Sequence, residues 1–273
     1  MENNISKLFY KDYYQDVDFH YVLDGKDPDK NMVKNSIGKM NKKIKESILV
    51  KIPRLSCVTH SFSAKIAYPG LITGTGLVHD SKKLDGAFNL GMHFDYTFGM
   101  PIVYGSSVKG VLCRYFKEFY KGEIDKEKLQ KDIFSGEASD GTNKSIYKRD
   151  IFFDAVILKP YMDEKKIPHL LEDDSITPHT EGPLKNPTPI TMLKIAPGCE
   201  IEFRFQLHDS VVDGLKFSVE DKQELFKEIL KTVGIGAKTN VGYGQLEECQ
   251  NLNENTVSGS TSIQYPGVKH DFV

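Results

Sequence analysis

The chain has 273 residues, of which 39% are apolar and 27% are charged, and its formal net charge is −2. This composition is sufficient for a sizeable hydrophobic core, and it excludes the global positive charge of proteins that bind nucleic acid by bulk electrostatics. The four cysteines form no CxxC pair, so the sequence predicts no metal site, no disulfide framework and no cofactor. No stretch approaches 18 consecutive apolar residues, and we expect a cytoplasmic protein without membrane contact.

The first 55 residues are predicted to form a basic, helical N-terminal extension. Between Lys34 and Arg54 there are seven basic residues and one acidic residue, Glu46. Such a stretch is typical of the solvated face of a helix, or it forms an arm that faces phosphates. The sequence leaves both interpretations open.

A core domain is predicted over residues 56–248, and its first half contains a strand, a helix and a second strand. Apolar residues alternate along CVTHSFSAKIAY, residues 57–68, with Tyr68 on the apolar side, as in a half-buried strand. The segment GSSVKGVLCRYFKEFYKG, residues 105–122, has the apolar stripe of an amphipathic helix. The almost continuously apolar segment IFFDAVIL, residues 151–158, predicts a central strand.

The second half of this domain repeats the pattern in another order. Apolar and polar residues alternate along CEIEFRFQL, residues 199–207, which predicts a third strand. Ser218 then opens a helix with Asp221 at the capping-box position, Gly234 ends it, and VGYGQLE, residues 241–247, supplies a fourth strand. The order β-α-β-β-α-β predicts an α+β fold of the ferredoxin-like, RRM-like type.

Two connections in this domain are longer than usual, and loops of such length are usually functional or bound to a partner. The second of them, residues 159–197, includes all but the last residue of the proline-rich segment 175–198. Because proline cannot donate to a sheet ladder, we expect this segment to form a protruding, thumb-like hairpin outside the core. The tail, residues 249–273, is rich in Asn, Ser and Thr, and it is predicted to be flexible or docked on a partner.

The start of the first helix offers a candidate phosphate site. With Ser106 or Ser107 as N-cap, Lys109 falls near the third helical position, where the helix macrodipole mildly repels a cation. A bound anion would relieve this repulsion. The alternative is that Lys109 simply extends into solvent.

The segment GIGAKTNVGYG, residues 234–244, contains four glycines and a Lys-Thr pair. It is not a phosphate-binding P-loop, because Ala237 separates Gly236 from Lys238 and because the segment leaves a helix and enters a strand. What remains is a glycine-rich loop with one cation, able to bring backbone amides close to something flat or extended.

Two motifs far apart in the chain resemble the paired signature of the RAMP superfamily of CRISPR proteins. They are GMPIVYGSSVKGVLCRYF and, far downstream, VGIGAKTNVGYGQLE. The segment SITPHTEGPLKNPTPITMLKIAPG, residues 175–198, narrows the resemblance to the sixth subunits of the type III-B (Cmr) effector complex. The resemblance covers about residues 57–247, and it departs from the family at Tyr104, where Pro is usual, and at Val108, where Leu is usual.

The resemblance implies a non-catalytic, guide-RNA-binding subunit of an antiviral RNA-targeting complex, which caps the backbone filament at the guide 3′ end. The implied partners are guide RNA, target RNA, the backbone RAMP subunit, the small helical subunit and, as a further candidate, the first RAMP subunit. The implied RNA-binding residues are Ser106, Ser107, Lys109, Arg114, Gly234, Gly236, Lys238, Thr239, Asn240 and Gly242. The implied contacts of the thumb with RNA or a subunit are Ile176, Thr177, His179 and Leu184.

An endoribonuclease is the alternative from another functional class, since some RAMP proteins cut guide precursor or target RNA. Its candidate acids and bases are His60, Asp80, His93, Asp95 and His179. Their spacing brings no acid and base together, and each has an ordinary structural interpretation in a strand or a turn. The sequence therefore predicts no catalytic residue.

Overall fold

A computed structural model describes residues 4–17, 30–74, 84, 86–176 and 190–249 of the chain. The helices in this part are α1 (Ile5–Tyr10), α2 (Lys30–Lys45), α3 (Gly105–Phe119), α4 (Lys126–Phe134) and α5 (Val219–Val233). The strands are β1 (His60–Ile66), β2 (Ile102–Val103), β3 (Ile151–Phe152), β4 (Ala155–Lys159), β5 (Tyr161–Met162), β6 (Pro168–His169), β7 (Leu171–Ile176), β8 (Ile190–Ile195), β9 (Glu200–Gln206), β10 (Ser210–Val212), β11 (Leu215–Phe217) and β12 (Leu246–Glu248). Within these residues, every helix is too short or too polar to cross a membrane.

The main sheet is antiparallel, with the strand order β12-β1-β9-β4-β2 and with β3 also paired to β9. Three small two-stranded sheets surround it: β5-β6, β7-β8 and β10-β11. The four strands expected from the sequence correspond to β1, β4, β9 and β12, and they lie in the order fourth, first, third, second. The predicted α+β class is confirmed.

The core lies between this sheet and the helices α3 and α5. The alternation in β9 places Phe203 and Phe205 inward, where both are fully buried, and the ring of Phe203 lies 5.1 Å from that of Phe62 in β1. Phe116 of α3 and Phe226 of α5 are also fully buried. The apolar stripes of the two helices and the apolar face of the sheet therefore bury one another.

The polar face of β9 is also covered, which the alternating sequence does not indicate. Arg204 is 5% exposed and Glu202 is 8% exposed, and the Arg204 Nε donates to Glu202 over 2.6 Å. The guanidinium also donates to the carbonyl oxygens of Pro53, at 3.0 Å, and Ile52, at 3.4 Å. The segment before β1 thus crosses the second face of the sheet and supplies the hydrogen bonds that a buried guanidinium requires.

The predicted strand over residues 151–158 is interrupted. Phe152 pairs with Phe205, whereas Val156 pairs with Glu202, so this side of the ladder contains one extra residue. The prediction of a continuous strand is therefore wrong at this point, where a β-bulge separates β3 from β4. Asp154 lies in the bulge, and its side chain turns towards the start of α3.

The N-terminal residues contribute to the same core as the sheet. Ile5 and Phe9 of α1 and Ile37 and Ile44 of α2 are buried in it, and the ring of Phe9 lies 6.1 Å from that of Phe88. The described part of the predicted extension therefore contains two helices that pack against the domain. The division of the chain at residue 55 stays a prediction.

Strands β7 and β8 form a hairpin whose ladder runs from Leu171–Ile195 to Ile176–Ile190. Residues 192–196 are buried, so the prediction that the whole segment 175–198 lies outside the core is wrong for them. The reason is that the apolar residues Met192, Leu193, Ile195 and Ala196 pack in the hydrophobic clusters, while Lys194 is buried in an ion pair with Asp174. Residues 177–189, with the predicted contacts Thr177, His179 and Leu184, lie outside the described residues, as do tail residues 250–273.

Candidate functional site

The glycine-rich loop, residues 234–244, follows α5 and folds back on itself. Ile235 donates its amide to the Gly244 carbonyl over 2.9 Å. Gly244 has a φ of +71°, and a Cβ at this position would overlap the carbonyl oxygen of Ile235. Only glycine fits here without displacing the backbone.

The inner side of this loop lies against residues 69–74, the segment that follows β1. Ala237 donates to the Ile72 carbonyl over 2.9 Å, and Gly244 donates to the Gly70 carbonyl over 2.8 Å. A Cβ on Gly236 would overlap the carbonyl oxygen of Ile72. The close approach that Gly236 permits is therefore to this chain's own backbone, rather than to a ligand as the sequence suggested.

The outer side of the loop presents backbone donors. The amides of Lys238, Thr239 and Asn240 have no hydrogen-bond partner among the described residues. Lys238 has left-handed backbone, with a φ of +60°, and its side chain and that of Asn240 are exposed. Consecutive free amides next to a left-handed residue form an anion-binding concavity, and Lys238 adds a positive charge to it.

The start of α3 differs from the prediction. The N-cap is Tyr104, the first helical residue is Gly105, and Lys109 lies at the fifth helical position instead of the third. Ser106 and Ser107 lie inside the first turn and do not cap the helix, whereas the Asp154 carboxylate accepts a hydrogen bond from the Gly105 amide over 2.7 Å. An anion from the chain itself therefore already stabilises this helix start.

Part of the helix start remains available to a ligand. Ser106 and Lys109 are exposed, and the Ser106 amide has no partner among the described residues. Arg114 is also exposed, about 7.5 Å beyond Lys109 along the helix at 1.5 Å per residue, and its guanidinium lies 5.7 Å from the ring centre of Tyr115. These groups can contact an extended anion that runs along α3.

His93 packs on the N-cap residue of α3. Its ring stacks on Tyr104 with centroids 4.1 Å apart, and its Nδ1 is buried without a partner in the described part of the chain. Burial lowers the pKa of His93 below its usual value, and the opposing effect of the Asp154 charge is smaller. The imidazole is therefore neutral at neutral pH.

Residues 69–74 join the two motifs. Ile72 binds the glycine-rich loop through Ala237, while the Thr73 hydroxyl accepts a hydrogen bond of 2.9 Å from the His93 amide. His93 in turn contacts Tyr104 at the start of α3. The two motifs, which are far apart in the sequence, thus lie on either side of one short segment.

The base of the β7-β8 hairpin is fixed to the same place. Tyr243 donates to Asp174 over 2.8 Å, and Lys194 forms a 2.8 Å ion pair with the same carboxylate. Burial alone would raise the pKa of Asp174, but these hydrogen bonds outweigh burial and lower it. The pKa of Tyr243 is raised to about 12, by burial and by the neighbouring Asp174. Ile176 packs against the small apolar cluster of Ile72, Met192 and Tyr243.

The predicted catalytic candidates have structural partners where they are described. Asp95 accepts the amides of Thr97 and Phe98, at 2.9 and 2.6 Å, which is the hydrogen bonding of an Asx turn. His60 Nδ1 lies 2.8 Å from the Thr59 hydroxyl. Asp80 and His179 lie outside the described residues, and in the described ranges no three His, Cys, Asp or Glu side chains are grouped as metal ligands would be.

Sequence reasoning missed several residues that build the site. Asp154 reaches the helix start from 49 residues away, and Ile72 and Thr73 act through a carbonyl and a hydroxyl in a loop without a motif. Tyr68, predicted to face inward, is 84% exposed beside the glycine-rich loop. The local sequence does not indicate these contacts. The exposure of Tyr68 follows from the end of β1 at Ile66, two residues before it.

Comparison with known families gives one match over most of the chain. The model of the RAMP superfamily matches residues 63–247. A search of curated proteins gave no significant match.

Comparison with solved structures gives many similar chains, among them subunits of Cmr complexes. A chain from the type III-B Cmr-beta complex bound to cognate target RNA is similar with a TM-score of 0.50 and 20% identity, over 90% of this chain and 86% of that chain. Cmr6 from Pyrococcus furiosus has a TM-score of 0.34 and 19% identity, over 72% of this chain and 100% of its own. Cmr4 has a TM-score of 0.34 and 15% identity, over 69% of this chain and 98% of its own.

Proposed function

Because this chain belongs to the RAMP superfamily, we propose that it is a guide-RNA-binding subunit of a cytoplasmic type III-B CRISPR effector complex that acts in antiviral defence. In this proposal it has no catalytic role and caps the backbone filament at the 3′ end of the guide. The similarity in fold to a chain of a type III-B complex that holds target RNA supports the assignment.

The core of the molecule is proposed to be ferredoxin-like. The strand order β12-β1-β9-β4, with α3 and α5 following the first and third of the predicted strands, supports this. The long connections then extend from one compact core, as the family signature implies.

The observation that carries the proposed function is the convergence of two polar surfaces on residues 69–74. One surface consists of the free amides at 238–240 with the Lys238 and Asn240 side chains, and the other is the start of α3 with Ser106 and Lys109. Amides and lysines bind phosphates and 2′-hydroxyls without reading bases. Such a surface fits single-stranded RNA held in a fixed shape, independently of its sequence.

The remaining predicted RNA contacts fit this surface to different degrees. Thr239 and Gly242 belong to the same loop, and Arg114 extends the α3 surface. Gly234 is buried, and Gly236 is exposed but lies against the Ile72 carbonyl, so both are proposed to shape the loop and Gly236 also to leave its exposed backbone open to RNA. The hairpin, with Ile176 at its described end, is proposed to contact RNA or a neighbouring subunit.

The proposed neighbours are the backbone RAMP subunit, the small helical subunit and the first RAMP subunit, together with guide and target RNA.

A non-catalytic role is supported by the turn contacts of Asp95 and the stacked ring of His93, since general acid-base catalysis needs both groups positioned on the substrate. Incubation of the protein with labelled guide precursor and target RNA tests this role. Cleavage that is lost in a His93→Phe variant would favour the endoribonuclease alternative.

The RNA-binding surface is tested with the double variant Lys238→Ala, Asn240→Ala. We expect weaker binding of single-stranded RNA and a salt slope, in log affinity against log salt, that falls by about 0.7 for the lost phosphate contact. Lys121→Ala, which removes the same charge from an exposed position beyond the far end of α3, is the matched control and should bind normally. An affinity and slope equal to those of the control would contradict the assignment.

A further inference from the structure

Tyr68 is exposed although the strand pattern directs it to the core. Phe62, Ala64 and Ile66 alternate inward along β1 and are buried, but the strand ends at Ile66. Two residues later, Tyr68 is 84% exposed. Exposing the apolar surface of a large aromatic ring to water costs free energy, which is recovered if a ligand or partner covers the ring.

The backbone that carries Tyr68 is held at both ends. Gly70 donates to the Ala67 carbonyl over 2.9 Å, which closes a tight turn with Tyr68 and Pro69 at its tip. Ala67 donates to the Gln245 carbonyl over 2.9 Å, and the Gly70 carbonyl accepts the Gly244 amide over 2.8 Å. The turn is therefore fixed to the C-terminal end of the glycine-rich loop, and the ring is presented from a rigid base.

The turn that carries the ring lies next to Gly242 of this loop. Pro69 Cδ lies 3.6 Å from the place that a Cβ of Gly242 would occupy, so the neighbouring loop surface is bare backbone. The Tyr68 phenol also contributes, after burial and Asp174, to the raised pKa of Tyr243. On the same loop, Val241 is 63% exposed next to the free amides at 238–240.

The position combines an exposed aromatic face with adjacent phosphate-binding groups, which is the arrangement used for single-stranded nucleic acid. Every nucleobase offers a flat face, so stacking on an aromatic ring adds affinity without sequence preference. Tyr96 and Tyr147 are also exposed, but among the described residues neither lies in a segment whose backbone hydrogen-bonds to this loop, so exposure alone does not mark them as stacking residues.

We propose that Tyr68 is a nucleobase-stacking residue, on which one base of single-stranded RNA lies while a nearby phosphate contacts the amides of residues 238–240. This inference rests on the proposed RNA-binding function and adds to it a residue that contacts a base. The Tyr68 ring contributes to affinity by stacking on the base, whereas Lys238 contributes by electrostatic attraction to a phosphate.

The first test compares Tyr68→Ala, Tyr68→Phe and the control Tyr147→Ala in binding to single-stranded RNA over a range of salt concentrations. We expect Tyr68→Ala to weaken binding about tenfold with an unchanged salt slope, because stacking involves no phosphate. Tyr68→Phe keeps the ring and should bind like the wild type, as should the control. Thermal midpoints should be equal in all four proteins, since both side chains lie mostly in solvent.

The second test uses the absence of tryptophan from the chain. Tyr68→Trp introduces a single indole, and we expect its fluorescence to be quenched on addition of RNA, because a stacked base lies against it. Tyr147→Trp is the matched control and should keep its emission. Quenching in both variants, or in neither, would overturn the proposal.

The remaining outcomes separate this inference from the proposed function. If Tyr68→Ala binds RNA normally while Lys238→Ala, Asn240→Ala binds weakly, the stacking role is wrong and the RNA-binding function stands. If Tyr68→Phe is as weak as Tyr68→Ala, the hydroxyl rather than the ring makes the contact, and stacking is again wrong. If the wild-type chain binds no RNA, alone or in its complex, both proposals fail.

Discussion

Helices α3 and α5 cover the same sheet but begin in opposite ways. At α5, the Ser218 hydroxyl accepts the Asp221 amide over 3.1 Å, and the Val219 amide donates to Asp209, ten residues earlier, over 3.0 Å. At α3, the residue before the helix makes no side-chain cap, and the Gly105 amide donates to Asp154, 49 residues away. The partners of the α5 start therefore lie close to it in the sequence, whereas the start of α3 depends on a residue between β3 and β4.

The packing of the two starts differs in the same sense. Val219, a β-branched residue, is the first residue of α5, so space is available there. Gly105, the first residue of α3, is buried, and a Cβ would overlap the carbonyl oxygen of Phe152. The helix start that adjoins the candidate site is therefore the more constrained of the two.

Gly105→Ala should give the largest effect. The added methyl group has to displace backbone in the bulge, and we expect a loss of about 3 kcal/mol in the free energy of unfolding, the upper range for overpacking. Gly110→Ala in the same helix is the control, because a Cβ there meets nothing within 4 Å. It should stabilise the protein by about 0.5–1 kcal/mol. Chemical denaturation measures both, and equal stabilities would disprove the close contact.

Asp154→Ala should follow. Loss of the remote cap and of its favourable interaction with the helix macrodipole is expected to cost about 1–2 kcal/mol of unfolding free energy. Asp154→Asn keeps an acceptor for the Gly105 amide and should recover about half of this loss. A normal stability of Asp154→Ala would show that the helix start needs no partner from the bulge.

Ser218→Ala should cost about 1 kcal/mol, the usual value for a local cap. The prediction that distinguishes the two helix starts is RNA affinity, measured at a temperature where all variants are folded. Ser218→Ala should leave it unchanged, whereas Asp154→Asn should raise it, because a negative charge next to the α3 surface is removed. If these two variants bind RNA with equal affinity, the start of α3 is not part of the RNA-binding surface.

The smallest effect concerns pH. Burial lowers the pKa of His93, which stacks on the N-cap residue of α3, so the unfolded chain takes up this proton at a higher pH than the folded chain does. The stability from this group is complete above its ordinary pKa of 6.5 and is lost as the pH falls through the lower folded value. Between pH 7.5 and 5, the thermal midpoint should therefore decrease less in His93→Phe than in the wild type. Parallel curves would show that His93 titrates normally.

Elements specified by residues close together in the sequence were predicted correctly, whereas contacts between residues far apart in the sequence were missed. The alternation in β9 and the capping box of α5 are patterns within a few residues, and both elements are found where predicted. Asp154 lies in an apolar run that indicates one continuous strand. The bulge that exposes Asp154 could not be predicted from this run, because it depends on the register with β9. The burial of Arg204 was missed for a similar reason, since its partners lie about 150 residues earlier.

The candidate site follows the same rule. Lys109, Lys238 and Asn240 are exposed, as is usual for polar residues in a loop or on the outer face of a helix, and their contact with RNA stays a prediction. The segment that joins the two motifs could not be predicted, since Ile72 contributes only a carbonyl group to the glycine-rich loop. Backbone contacts of this kind leave no trace in the residue types.

The contact of Arg204 with residues 52 and 53 has a consequence for sequence divergence. Both acceptors are main-chain carbonyls, and every amino acid can supply one. These hydrogen bonds therefore place no demand on the side chains at the two positions, although Ile52 also packs against the core, while the path of the chain past the guanidinium has to be kept. Related proteins can therefore share this buried contact although an alignment shows no common residue there, and a deletion of one residue would do more harm than any substitution.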